Sequence, residues 1–116
     1  MDYSSTYRLA QDIRDSDEYK TYHELKEAVM ADETTAALVR EYRKLQITLQ
    51  MAAVSGQAAD SEDMQRFSGI STLLFSKQEV SNFLLAEMRM QQALTDIFKI
   101  VTEASDLDMS IPGTEG

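Results

Sequence analysis

Apolar residues recur along most of the chain at intervals of three and four, the spacing of one face of an α-helix. The clearest stripe lies in a segment over about 33–55, where apolar positions advance by 4, 3, 4 and 3 residues: Leu38, Tyr42, Leu45, Leu49 and Ala52. No alternation of apolar and polar residues is long enough to predict a strand. The pattern therefore predicts an all-α protein.

Breaks between the stripes divide the chain into about five helices. Residues able to cap a helix N-terminus precede the second, third and fourth segments, at Ser16, at Asp32, and at Asp60 or Ser61. Acidic residues follow each cap, where the helix dipole favours negative charge. Gly56 is expected to end the third helix, because glycine adopts the left-handed conformation without a steric penalty. No glycine or proline marks the junction near 77–80, so the sequence leaves the start of the fifth helix open.

The third and fifth predicted helices are long for a chain of this size. They span roughly 23 and 26 residues, or about 35–39 Å at 1.5 Å per residue. A compact domain of ~100 residues has a radius of gyration of only ~13 Å. Because burying apolar surface stabilises by ~25 cal/mol per Å², their stripes favour contact with another chain. We expect an elongated helical hairpin or bundle that oligomerises as a dimer or a dimer of dimers.

The same pattern of helical segments predicts the domain organisation. Residues 1–105 are predicted to form a single all-α domain, and residues 106–116 a flexible polar C-terminal tail that contains Pro112 and Gly113. The candidates for the core or the oligomer interface are the apolar residues of the two long helices: Leu38, Tyr42, Leu45, Leu49, Phe83, Leu84, Met90, Leu94 and Ile97. Which of them face their own chain is not determined by the pattern.

Glu87 differs from the other carboxylates because it lies on or beside the apolar stripe of the fifth helix. One interpretation is a partly buried carboxylate that fixes helix register or binds a partner. The other is an ordinary residue at the edge of the stripe. Most other acidic residues cluster at predicted helix starts, where capping and the helix dipole explain them.

Composition narrows the functional classes. Twenty acidic residues against 11 basic ones give a net charge of −9, which argues against broad binding to a phosphate backbone. Cysteine is absent, which excludes disulfide scaffolds, iron–sulfur centres and cysteine nucleophiles. The sequence shows neither a signal-peptide pattern nor an apolar run approaching ~18 residues. We expect a cytoplasmic protein that does not bind membranes or nucleic acid directly.

Candidate chemistry is sparse. His23 is the only histidine, and position 20 is a lysine, so the Glu-x-x-His pattern of a ferritin-like di-metal site is missing. Arg40, Arg43 and Lys44 form a small basic patch that we interpret as a solvated face, with contact to an acidic partner as the alternative. No nucleophile motif or phosphate-binding glycine loop occurs. The sequence therefore predicts no catalytic site, no metal and no cofactor.

Three longer runs are distinctive when taken together: DSDEYKTYHELKEAVMAD, EYRKLQITLQMAAVSGQ and EVSNFLLAEMRMQQALTDIFKIV. They resemble the second, third and last helices of the YlbF/YmcA family of bacterial regulators, which includes the YheA-like proteins. The likeness to the last helix includes the Ala-Glu step at Ala86–Glu87. The resemblance covers roughly Leu9 to Val101.

This resemblance implies a small cytoplasmic all-α protein that self-associates and acts as a regulator or adaptor without catalysis. Members of the family are linked to competence, sporulation and biofilm formation, and act as a complex that influences mRNA processing by the membrane-anchored endoribonuclease Y. Paralogous family members and endoribonuclease Y are thus the implied partners beside a second copy. Some members hold iron–sulfur clusters through cysteines, which this chain lacks. The alternative from another class is a small-molecule or metal-binding helical domain.

We predict that His23 is dispensable, because it lacks companions for a metal site and lies off the apolar stripe. His23→Ala should leave the melting temperature and the oligomeric state nearly unchanged, as surface substitutions usually do. Differential scanning fluorimetry and light scattering measure both quantities. A loss of several degrees, or a loss of bound metal in elemental analysis, would contradict the prediction.

Overall fold

The computed structural model describes residues 1–107, which form five α-helices and no strand. The helices are α1 (Ser4–Asp15), α2 (Asp17–Met30), α3 (Glu33–Ser55), α4 (Ser61–Phe75) and α5 (Gln78–Ser105). The two longest are α3, with 23 residues, and α5, with 28. The prediction of an all-α chain with two long helices is confirmed. Of the predicted tail, Asp106 and Leu107 follow the end of α5, and the remainder lies outside the described residues.

Local hydrogen bonds set the helix boundaries where the sequence predicts them. Three capping side chains accept a bond from a main-chain amide two or three residues further on: Ser16 from Tyr19 at 3.2 Å, Asp32 from Thr34 at 3.3 Å and Asp60 from Glu62 at 2.9 Å. Gly56 ends α3 with a φ of 76°, the left-handed conformation that glycine adopts at little cost. These bonds satisfy amides that have no partner inside the helix.

The described chain divides into two compact units. The central unit is His23–Leu84, and the described part of the terminal unit comprises Met1–Tyr22 and residues 85–107. Helices α2 and α5 therefore contribute residues to both units, whereas α3 and α4 lie wholly within the central unit. Each unit has its own pattern of burial.

The central unit contains an apolar core. Helix α3 packs against α4, and nearly all buried residues of the described chain belong to this unit: Val29, Thr35, Ala36, Val39, Leu45, Leu74, Val80, Phe83 and Leu84. Full burial of a large apolar side chain stabilises by about 1.5–3 kcal/mol, so these residues supply most of the unit's stability.

Aromatic and charged contacts supplement this core between α3 and α4. The ring of Tyr42 stacks on Phe67, with centroids 5.1 Å apart, and meets Phe75 edge-on at 6.1 Å. Glu41 and Arg66 form an ion pair between the same two helices. Because both charged side chains are partly exposed, the apolar and aromatic contacts dominate.

The terminal unit has almost no core of its own. In its described part Ala86 is the one buried residue, and no residue of α1 is buried. Large apolar side chains lie open to solvent along it, among them Tyr7, Met88 and Leu94. The apolar faces of α1 and of the second half of α5 therefore remain largely uncovered.

A buried threonine links the start of α3 to the turn between α4 and α5. The Thr35 hydroxyl donates to Asp32 Oδ2 at 2.7 Å, and Lys77 Nζ donates to Thr35 Oγ1 at 3.0 Å. The bond from Thr35, aided by the charge of Lys77, holds the pKa of Asp32 below its ordinary value. These three side chains join segments that are 42 residues apart in sequence.

We predict that Thr35→Val weakens this link and raises the pKa of Asp32 toward its ordinary value. Because folding lowers that pKa, the stabilising contribution of Asp32 is fully present above the unfolded-state pKa of ~3.9 and is lost as pH falls through the folded-state value. The variant should lower the free energy of unfolding at neutral pH by about 1 kcal/mol. Urea denaturation and NMR titration of the Asp32 carboxyl measure the two effects.

The matched control is Thr34→Val, which makes the same change at the exposed neighbouring position. It should leave both the unfolding free energy and the pKa of Asp32 close to wild type. Equal effects of the two variants would show that helix propensity, rather than the link through Thr35, accounts for the loss.

Candidate interaction site

The described residues contain no group of three or more metal-ligating side chains that could hold an ion. His23 Nε2 lies 3.0 Å from Glu27 Oε1, one turn further along α2, and both side chains are at least half exposed. Within the same range, no helix has the length and apolar character required to span a membrane. The notable features of residues 1–107 are two exposed apolar surfaces.

The residues of the predicted basic patch on α3 differ in their surroundings: one packs on an aromatic ring and two are exposed to solvent. The Arg43 guanidinium carbon lies 5.8 Å from the centroid of the buried Phe83 ring, and the Arg43 side chain is half-buried. Arg40 and Lys44 are exposed. The interpretation as a solvated face therefore holds for these two residues and is wrong for Arg43, which packs on an aromatic ring.

The structure separates the apolar candidates of the two long helices into two groups. Leu45, Phe83 and Leu84 are buried in the central unit, where Leu38, Tyr42 and Leu49 are half-buried. Met90, Leu94 and Ile97 lie in the terminal unit, and none of the three is buried. The first group therefore lies with the core of the central unit, and the three residues of the second group are all at least partly exposed.

A second stripe on α3 was not identified from the sequence. Ile47, Met51 and Val54 are 57%, 67% and 90% exposed, and their spacing of 4 and 3 places them on one helix face. We call these three residues the α3 outer stripe. One signal could have revealed it: positions 45–59 contain no charged residue, although an exposed helix face is ordinarily rich in charge.

An apolar groove lies in the terminal unit between α1 and α5. Its walls are Ile13 of α1 and a run of α5 residues, and the cavity measures about 180 Å³. The α5 residues are Met90, Ala93, Leu94 and Ile97; the polar lining residues, which we call the mouth, are Asp12, Ser16 and Glu18. We call this feature the α1–α5 groove. It unites three of the predicted core or interface residues with Ile13 and Ala93, which are not among those candidates.

A neighbouring cleft of the terminal unit is more polar. It measures about 210 Å³ and is lined by Asp17, Glu18, Thr21, Ala86 and Arg89. Carboxylates of α2 and the guanidinium of α5 thus border the same space. Glu87, next to this cleft in sequence, is half-buried, and its role in fixing register or binding a partner stays a prediction.

Comparison with known proteins agrees with the helical geometry. A family model described as control of competence regulator ComK, YlbF/YmcA, matches residues 3–104. A UPF0342 protein of Halothermothrix orenii is 34% identical over 85% of this chain and 84% of its own length. A UPF0342 protein of Caldicellulosiruptor saccharolyticus is 30% identical over 90% and 88% of the two chains.

A solved structure shares the fold. It is a protein of unknown function (DUF964) from Bacillus stearothermophilus, with a TM-score of 0.70 and 18% identity over 90% of this chain and 91% of that chain. The resemblance found in the three sequence runs is confirmed by the family match over nearly the whole described chain. This chain belongs to the YlbF/YmcA family, whose description is the control of the competence regulator ComK.

Proposed function

We propose that this chain is a non-catalytic regulatory adaptor that acts by binding proteins through exposed helix faces, first of all a second copy of itself. The observation that supports this most directly is the α3 outer stripe. Three large apolar side chains lie open on a helix face within a charge-free stretch. Exposed apolar patches of this kind are typical of protein interaction sites.

Charge favours a second copy as the occupant of the stripe. Each chain carries a net charge of −9, so two copies repel wherever their acidic surfaces meet. Positions 45–59 bring no charge to a contact, and an isologous dimer places the same patch of both chains together. Pairing of the two α3 outer stripes therefore buries apolar surface at little electrostatic cost.

Membership of the family supports the regulatory part of the proposal. The family is described by control of a competence regulator, and the resemblance implies action through a complex with paralogous members and with endoribonuclease Y in the cytoplasm. Sporulation and biofilm formation are the other processes that the resemblance suggests. Because the chain has no cysteine, the proposed role depends on protein contacts and not on an iron–sulfur cluster.

A small-molecule or metal-binding domain is the second candidate function. The observation that favours it is the polar cleft, where Asp17 and Glu18 face the same space as Arg89. A thermal-shift screen with metals and charged metabolites separates the two candidates. A ligand selective for the native state raises the melting temperature, so a reproducible shift would favour this second function.

We predict that Met51→Glu disrupts self-association. The substitution places a carboxylate at the centre of the α3 outer stripe, and a two-fold interface brings two such charges together. Like-charge juxtaposition costs several kcal/mol, so the dissociation constant should rise by about 100-fold or more. Light scattering coupled to size exclusion should give a multiple of 13.1 kDa for the wild type and the monomer mass for the variant.

The matched control is Gln46→Glu, which adds the same charge at an exposed position on a different side of α3 from the stripe. It should preserve the wild-type mass, and circular dichroism should show equal helix content in both variants. A wild-type chain that is monomeric at micromolar concentration would overturn self-association. An oligomer that survives Met51→Glu would show that the interface lies on another face.

A further inference from the structure

We propose that the α1–α5 groove binds an amphipathic helix of a basic partner protein. This inference rests on the proposed adaptor function and adds the chemistry of the partner to it. The groove and the α3 outer stripe belong to different units. The chain thus has one apolar surface suited to a second copy and another suited to a different protein.

The shape of the groove fits a helix. Its α5 wall presents Met90, Ala93, Leu94 and Ile97, positions spaced as i, i+3, i+4 and i+7 over two helical turns. A docking helix presents apolar anchors with the same repeat. Ala93, the smallest of the four, lies within this row and allows close approach.

The volume of the groove suits one large anchor side chain. Its volume is about 180 Å³, and a cavity of roughly 150 Å³ holds a benzene ring. Ile13 forms the opposite apolar wall, so a leucine or phenylalanine would contact both α1 and α5. All of the lining residues are at least partly exposed, so docking would remove apolar surface of this chain from water.

Charge selects the class of partner. Asp12 and Glu18 line the mouth of the groove, and none of its lining residues within positions 1–107 is basic. Arg89 borders the neighbouring cleft, which shares Glu18 with the groove. Lysine or arginine residues flanking the apolar anchors of a docked helix would therefore meet carboxylates. A second copy with a net charge of −9 fits this mouth less well than a basic helix.

A pair of synthetic peptides tests the proposal on the full chain. Each is about 20 residues long, enough for helical structure, with leucines at i, i+3, i+4 and i+7. One carries lysines at the remaining exposed positions and the other carries glutamates. Fluorescence anisotropy at physiological ionic strength should show saturable binding of the lysine peptide, at least about tenfold tighter than the glutamate peptide.

Paired variants on α5 separate groove binding from general attraction to an acidic chain. Ala93→Arg fills the groove, whereas Thr95→Arg adds the same charge at an exposed position that does not line it. The first should weaken lysine-peptide binding by about tenfold or more, and the second by less than about threefold. Equal weakening would overturn the proposal, since it would indicate attraction by net charge alone.

Reversing the charge at the mouth should produce a gain in binding of the glutamate peptide, which a misfolded variant would not show. The double variant Asp12→Lys with Glu18→Lys should bind the glutamate peptide more tightly than the lysine peptide. The matched control is Glu24→Lys with Glu103→Lys, which makes the same change in net charge at exposed positions outside the groove. Retention of the lysine-peptide preference by the mouth variant, or an equal reversal in the control, would overturn the proposal.

The oligomeric mass tests whether a second copy of this chain, rather than a different protein, occupies the groove. If Ala93→Arg dissociates the wild-type oligomer while Thr95→Arg does not, the groove is an interface between copies and the proposal is overturned. Peptide binding is measured independently of Met51→Glu. A wild-type chain that is monomeric but binds the lysine peptide would therefore count against the proposed dimer alone, and an oligomeric chain that does not bind the peptide would count against the groove alone.

Discussion

The unequal burial of apolar side chains is the constraint on which the structure depends. Helices α3 and α4 pack against each other in the central unit, whose buried residues include Val39, Leu74 and Phe83. Helices are stable in proteins mainly because an apolar face is packed, since isolated short helices are marginal in water. The terminal unit lacks such a core in its described part, where Ala86 alone is buried. Its helices therefore leave apolar surface available for contacts outside their own unit.

Polar contacts complete the central unit without replacing this core. Thr35 is buried and bonded on both sides, to Asp32 at the start of α3 and to Lys77 beyond α4. A buried hydroxyl with both partners present avoids the cost of an unsatisfied polar group. The Arg43 guanidinium likewise lies over the Phe83 ring. Residues that look like surface charge in the sequence thus help to fix how the helices meet.

The distribution of charge gives the two exposed surfaces different character. Acidic residues gather at helix starts and at the mouth of the α1–α5 groove, where Asp12 and Glu18 lie, whereas positions 45–59 carry no charge. Burial of apolar surface contributes affinity but little selectivity, whereas the charges around that surface determine which partners can bind. For a member of the YlbF/YmcA family without cysteine, the proposed binding through such surfaces does not rely on an iron–sulfur cluster.

The sequence by itself determined the helices, and only the tertiary structure decided what each face of them contacts. Caps at Ser16, Asp32 and Asp60 and the glycine at position 56 act within a few residues, so their effect can be predicted from local spacing. Leu45 and Ile47 are both apolar residues of α3, yet Leu45 is buried and Ile47 is exposed. The groove likewise requires Ile13 to meet residues of α5. Such pairings depend on packing between segments distant in the chain, which a helical period does not encode.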